Sequence, residues 1–191
     1  MGEFFPCPHC QTILYDNGCH NCLSIRAATA HDLLDITELQ QRLVTSHFIP
    51  LYSHPEYAHL EVGKKAFEKS MEHFDQYLAS KFLGGSNRGI FVYVKNTQIV
   101  GYIAFQLTHT TLMIDLLMVD PDHQGNHIGR ALLKHVFQYP HTSCILYTLR
   151  YHNEKTQHFY GLQGFEYQGV GVCENDPVED PSVFVHYKRS V

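Results

Sequence analysis

Apolar positions recur along this chain with two different periods, and the change from one to the other divides it. Between residues 26 and 83, after a short strand, Leu33, Ile36, Leu39 and Leu43 fall at helical spacing. Further on, Phe67, Met71, Phe74 and Leu78 lie four, three and four residues apart. Each set makes one face of a helix, because about 3.6 residues complete a turn. Thr29 stands where an N-cap belongs, and the Ser46–Pro55 stretch, punctuated by Pro50 and Pro55, separates the two helices. From Gly89 the period shortens. Ile90–Val94 and Ile99–Leu107 read as strands joined by the hairpin Lys95-Asn96-Thr97-Gln98. Leu112–Val119 is so nearly all apolar that it predicts a strand at the centre of a sheet. Helical spacing returns at Ile128, Leu132 and Val136. Cys144–Leu149 then predicts a strand, Glu154–Leu162 a helix, and Phe165–Val172 and Val183–Tyr187 two closing strands. The order is strand, two helices, three strands, helix, strand, helix, two strands, which is an α+β pattern over residues 26–191.

Composition adds limits. With 191 residues, 44% of them hydrophobic and 13% aromatic, the chain suits one core with a short appendage. Fourteen Lys and Arg against 19 Asp and Glu leave a net charge of −5, which opposes a sequence-independent nucleic-acid binder. No long apolar run, basic leader or lipidation motif is present, so the expectation is a cytoplasmic protein without a membrane partner.

The appendage is rich in cysteine. Four of the six cysteines fall in the first 22 residues, as Cys7-Pro-His-Cys10 and Cys19-His-Asn-Cys22. Two such pairs supply the four thiolates of a tetrahedral zinc site, and so short a segment has too little core to fold unaided. Residues 1–25 are therefore expected to form a zinc-ribbon-like knuckle with a structural Zn2+ on Cys7, Cys10, Cys19 and Cys22. They contain no Lys or Arg, which leaves protein docking or stabilisation of the larger domain as uses. Cys144 and Cys173 read as a buried strand residue and a loop thiol.

The predicted central strand runs into Val119-Asp120-Pro121-Asp122-His123-Gln124-Gly125-Asn126-His127-Ile128-Gly129-Arg130. A glycine-bearing turn at a helix start presents free backbone N–H groups and the positive end of the helix dipole, and can hold a pyrophosphate without lysine. Neither the P-loop spacing nor the dinucleotide fingerprint is met.

Leu117, Val119 and Pro121, followed by Gln124, Gly125, Ile128 and Gly129, resemble the coenzyme A signature of the GNAT superfamily of N-acetyltransferases. That resemblance implies a mixed, mainly antiparallel sheet flanked by helices. It implies that backbone groups of Leu117, Met118 and Val119 pair with the pantetheine arm of acetyl-CoA. Backbone amides of Gln124, Gly125, Asn126, His127, Ile128, Gly129 and Arg130 would hold the pyrophosphate. His127 stands where the pattern usually has Gly, so its side chain either points away from the phosphates or gives them a ring N–H. Asn153, with Phe159-Tyr160-Gly161-Leu162-Gln163-Gly164-Phe165, resembles the second signature of the family and joins the coenzyme-binding set. Thr156 and Gln157 depart from the small and aliphatic residues usual there. The resemblance implies that Tyr160 protonates the departing thiolate, a task suited to a phenol with a reference pKa of about 10.

An attacking amine must be neutral, and a lysine-like amine is so only about once in 2,500 at pH 7, a cost of about 4.6 kcal/mol. Asp115 interrupts the apolar strand where related enzymes carry a Glu. It reads as a base or water-positioner, or as a structural hydrogen bond or ion pair. The acidic stretch from Cys173 to Asp180 either draws in a cationic acceptor or is a solvated loop. Function is thus expected to be acetyl transfer from acetyl-CoA to a primary amine in a ternary complex. The alternative is an acyl-CoA sensor or adaptor with a protein-docking knuckle.

Overall fold

The computed structural model describes residues 23–48, 50, 54–55, 73–150, 152–170 and 184–190. Within them seven strands and four α-helices follow the predicted order. They are β1 (Leu23–Ala27), α1 (Leu33–Leu43), α2 (Phe74–Phe82), β2 (Arg88–Lys95), β3 (Gln98–Thr108) and β4 (Thr111–Val119). After these come α3 (Ile128–Val136), β5 (Ser143–Leu149), α4 (Glu154–Leu162), β6 (Glu166–Val170) and β7 (Phe184–Ser190). Leu23, Ser24 and Ile25 are already strand, so the sheet begins inside the segment assigned to the knuckle. Cys7, Cys10, Cys19, Cys22, Phe67, Met71 and the acidic stretch 173–180 lie outside the described residues. Among the described residues no His, Cys, Asp and Glu side chains cluster in threes or more to hold a metal. No helix among them is long and apolar enough to cross a membrane.

The strands form one sheet in the order β1-β2-β3-β4-β5-β7-β6, with β4 at its middle. All pairings are antiparallel except that of β4 with β5, which needs a crossover, and α3 supplies it. In the β2–β3 hairpin Asn96 and Thr97 both have positive φ, 49° and 67°, the twist a two-residue turn requires.

β3 is buried on both faces. Ile99, Tyr102 and Ala104 pack against α1 and α2, whereas Val100, Ile103 and Phe105 face α3. Leu33, Ile36, Leu39 and Leu43 supply the α1 side of the first layer, and Ile128, Leu132, Leu133 and Val136 the α3 side of the second. Each such leucine or isoleucine taken wholly out of water stabilises the fold by about 1.5–3 kcal/mol. Inside the first layer the Tyr102 hydroxyl donates to Gln40 Oε1 at 2.6 Å, so a buried phenol and a buried amide satisfy each other.

Thr29 caps the turn Ala30–Asp32 that leads into α1: its N–H and its hydroxyl both donate to Asp32 Oδ2 at 2.8 Å. Arg26 on β1 completes the arrangement with two bonds to the same carboxylate, at 2.6 and 2.8 Å. This joint ties the first strand to the first helix.

Candidate active site

The uniformly apolar run Leu112–Val119 is a single strand, but not a regular one. Phe105 pairs with Ile114 and Ala104 with Leu116, so Asp115 is an extra residue, a β-bulge. Alternation changes phase across it. Leu112 and Ile114 face α3, and beyond the bulge Leu117 and Val119 do so instead, while Leu116 and Met118 face α1 and α2. The bulge therefore puts Asp115 and Leu116 on the same side of the sheet, towards α2.

Pairing of β4 with β5 stops at the same point. It runs from Thr111 with Ser143 to Ile114 with Leu146, after which β5 continues against β7 alone. The two parallel strands splay, and a cleft of about 680 Å³ opens between Asp115–Val119 on one wall and Tyr147–Leu149 on the other. Along its β4 wall the backbone from Asp115 onward has no strand partner on the β5 side among the described residues, so it can accept an added strand. Leu117, Met118 and Val119 line this wall, and Gln124 Nε2 donates to the Val119 carbonyl at 3.2 Å.

At one end of the cleft the turn after β4 leads into α3. Asp120 accepts from the Asp122 N–H at 3.0 Å and from Arg42 of α1 at 2.8 Å, so α1 anchors the turn. Asn126 Nδ2 donates to the carbonyls of His123 and Gln124 at 3.1 and 3.4 Å. Gly125 and His127 both have left-handed backbone, φ 77° and 60°. A residue with a Cβ pays about 1–2 kcal/mol for that conformation, which explains why Gly suits the position His127 occupies. The imidazole is exposed. Helical pairing begins with Ala131 N–H to the His127 carbonyl, at 2.9 Å, leaving the N–H groups of Ile128, Gly129 and Arg130 without a helical acceptor. Gly129 also lets α3 approach α4, since a Cβ there would meet Phe159 at 3.2 Å.

The far wall carries Asn153 and Tyr160, both buried and both lining the cleft. Asn153 stands at the N-cap position of α4, but its amide reaches back to Thr148 Oγ1 at 2.8 Å and the Leu149 carbonyl at 3.3 Å. It thus clamps the start of α4 to the end of β5. Gln157 does the same one turn later, donating to the carbonyls of Leu149 and Arg150 at 3.0 and 2.7 Å. Its polarity, out of place on an apolar helix face, serves that contact. The Tyr160 ring sits edge-on against Phe159 and Phe165, and burial pushes its hydroxyl well above the ordinary phenol range. Cys144 is a core residue, wholly buried on the α3 side of the sheet, and burial likewise pushes its thiol up to about 12.

Asp115 has a side chain only 7% exposed. Gln106 Nε2 donates to both of its oxygens, at 2.9 and 3.0 Å, and Lys81 Nζ lies 3.4 Å from Oδ1. Burial outweighs those contacts and raises the carboxyl above its usual range. Burial alone would lower Lys81, but the Tyr77 hydroxyl at 3.0 Å and the Asp115 charge overcome it, and the ammonium is raised. Sequence reasoning missed Lys81, Tyr77, Gln106 and the Arg42–Asp120 pair. Lys81 left a trace: it falls on the stripe of Phe74, Leu78 and Phe82, where a cation on a buried face asks for a partner.

The cleft thus lies against a bulged, splayed sheet, beside the turn that leads into α3. Residues 86–167 match the family model described as acetyltransferase (GNAT) domain. No curated protein sequence matches the chain. Among solved structures, an acetyltransferase from Thermus thermophilus superposes with TM-score 0.66 at 20% identity, over 89% of this chain and 97% of that one. The ribosomal-protein-S18-alanine N-acetyltransferase from Escherichia coli gives 0.62 at 17%, over 88% and 94%. The PaiA N-acetyltransferase from Thermoplasma acidophilum, solved with coenzyme A, gives 0.61 at 17%, over 88% and 99%. At these identities the likeness is one of fold, and at 88–89% of the chain it reaches well beyond the matched stretch.

Proposed function

We propose that this protein transfers the acetyl group of acetyl-CoA to a primary amine by direct attack in a ternary complex. The observation that carries the reading is the splay of β4 from β5 beyond Ile114, which leaves a strand edge, the turn residues Pro121 and Gln124, and Tyr160 around one cleft. The pantetheine arm lies along Leu117, Met118 and Val119. The pyrophosphate rests on the backbone of Gln124 to Arg130, with Asn153 bordering the arm from the other wall. The amine nitrogen forms a bond to the acetyl carbonyl carbon, the carbon–sulfur bond breaks, and Tyr160 gives its proton to the sulfur. A phenol whose proton is held tightly by burial is still a workable acid here, because the same dry surroundings disfavour the departing thiolate. Asp115, directly or through water, takes the proton that the amine loses.

Residues 1–25, in the same reading, hold one structural zinc on Cys7, Cys10, Cys19 and Cys22. The acceptor is a small-molecule amine, a lysine side chain or a protein N-terminus.

Calorimetric titration of the metal-replete protein with acetyl-CoA, followed by thiol-release assays on amines and lysine peptides, tests the reading. Binding with turnover on one acceptor class supports it, and Asp115→Asn must then lower turnover by about 10²-fold or more. Binding without turnover on any acceptor points instead to an acyl-CoA sensor. Absence of binding refutes the coenzyme site.

A further inference from the structure

The Asp115 carboxylate is the extra residue of a bulge in the central strand, faces α2 across the cleft, and is nearly closed off from water. An anion in that position needs a counter-charge, because an unpaired buried carboxylate takes up a proton and ceases to be one. Its two neighbours in contact are unlike. Gln106 on β3 reaches both oxygens but carries no charge. From α2 Lys81 brings an ammonium to 3.4 Å of Oδ1, and its side chain is itself only 18% exposed. That ammonium does not hang free: it is bonded to the Tyr77 hydroxyl at 3.0 Å and lies over the Tyr77 and Phe82 rings at 5.3 and 5.5 Å. Aromatic faces and a hydroxyl hold a cation without neutralising it. Across the cleft Tyr147 borders from β5, and Tyr160, Glu154 and Lys155 from α4. His152 also lines the cleft, and Lys81, at 3.4 Å, is the cation paired with Asp115.

We propose that Lys81, tethered by Tyr77, is a positioning residue of the reaction: its ammonium keeps the Asp115 side chain in place as an anion at the cleft wall. The proposal rests on the reading of Asp115 as base or water-positioner. It makes α2, which lies ahead of residues 86–167, part of the catalytic apparatus, since a movement of this helix carries the counter-charge away from the carboxylate.

Loss of the ammonium removes a favourable charge beside a buried acid, so the proton affinity of Asp115 must rise further. A carbon-13 NMR titration of the Asp115 carboxyl in the full chain reads this directly. In Lys81→Met the midpoint is expected to move up by about one pH unit or more, and in Lys81→Arg to return most of the way. The Kd for acetyl-CoA, measured alongside, is expected to stay within about twofold in both, because neither residue touches the phosphate turn. An Asp115 midpoint equal in Lys81→Met and wild type overturns the proposal. Should Lys81→Met fail to fold, Tyr77→Phe, which frees the ammonium from its tether, must raise the midpoint in its place, and no movement there overturns it too. The titration is independent of turnover: a coupled midpoint together with full activity in Asp115→Asn would sink the base reading while leaving the pairing intact.

Discussion

Tyr160 combines two demands on one side chain. Its ring is packed against Phe159 and Phe165 in the core, and the residue also lines the cleft. Tyr160→Phe preserves the packing and removes the proton, so turnover in a thiol-release assay is expected to fall by about 10²–10⁴-fold with little change in acetyl-CoA affinity. Unchanged turnover would take Tyr160 out of the acid role. Asp32 is the other residue under strong electrostatic constraint. Bonding from Arg26, reinforced by Thr29 against the opposing effect of burial, holds its carboxyl far below the usual range. A depressed folded-state pKa means the contribution is complete above the unfolded-chain value of about 3.9 and is lost as pH falls below it. Asp32→Ala is therefore expected to destabilise the protein by about 1–2 kcal/mol at pH 7 in denaturant melts. The gap to wild type should narrow as the melts are repeated at progressively lower pH below that value; a gap independent of pH would exclude the ion pair as its source.

Among the elements, the turn between β4 and α3 holds the clearest departure from local preference. His127 adopts a left-handed backbone that glycine enters at no steric cost, yet its side chain is exposed. Replacing it with Gly relieves strain of about 1–2 kcal/mol but frees the unfolded chain by up to about 1 kcal/mol. The net change in His127→Gly is expected to be within about 1 kcal/mol, a few degrees in Tm at most. Acetyl-CoA affinity should be unaltered, since in the proposed mode the backbone N–H groups of the turn do the holding. A tenfold loss of affinity would show instead that the imidazole contacts the phosphates. The same logic of backbone over side chain governs β4, where the bulge at Asp115 re-aims one carboxylate and starts the splay.

For the whole molecule, two packed layers enclose a sheet whose one parallel junction opens into the cleft. The knuckle expected at residues 1–25 adds a separate testable unit. Chelation, or Cys7→Ser, should release about one zinc per chain, measured by mass spectrometry of the metal. A chain that folds identically without ever having held metal would refute that assignment.

Periodicity and turn residues together yielded the order of the seven strands and four α-helices, though not the start of β1 at Leu23, because the spacing of apolar residues is imposed by which face each element buries. The turn proposed for the coenzyme was legible too, since its chemistry resides in backbone N–H groups at a helix start, and glycines mark such places. Tyr160 stood out only through the resemblance of Asn153 and the Phe159–Phe165 stretch to the family's second signature. What the apolar run Leu112–Val119 did not disclose was its bulge: an extra residue changes no hydropathy, and its effect depends on the register with β3. Nor did it disclose that β5 would part from β4 at Ile114 and Leu146, which is a matter of how two strands diverge in space. Lys81 and Gln106 meet Asp115 from 34 and 9 residues away in sequence, and no local pattern links them. Sequence determined which segments form strands and helices; only the tertiary structure decided which charges face each other in the cleft, because that depends on distances between elements that no periodicity encodes.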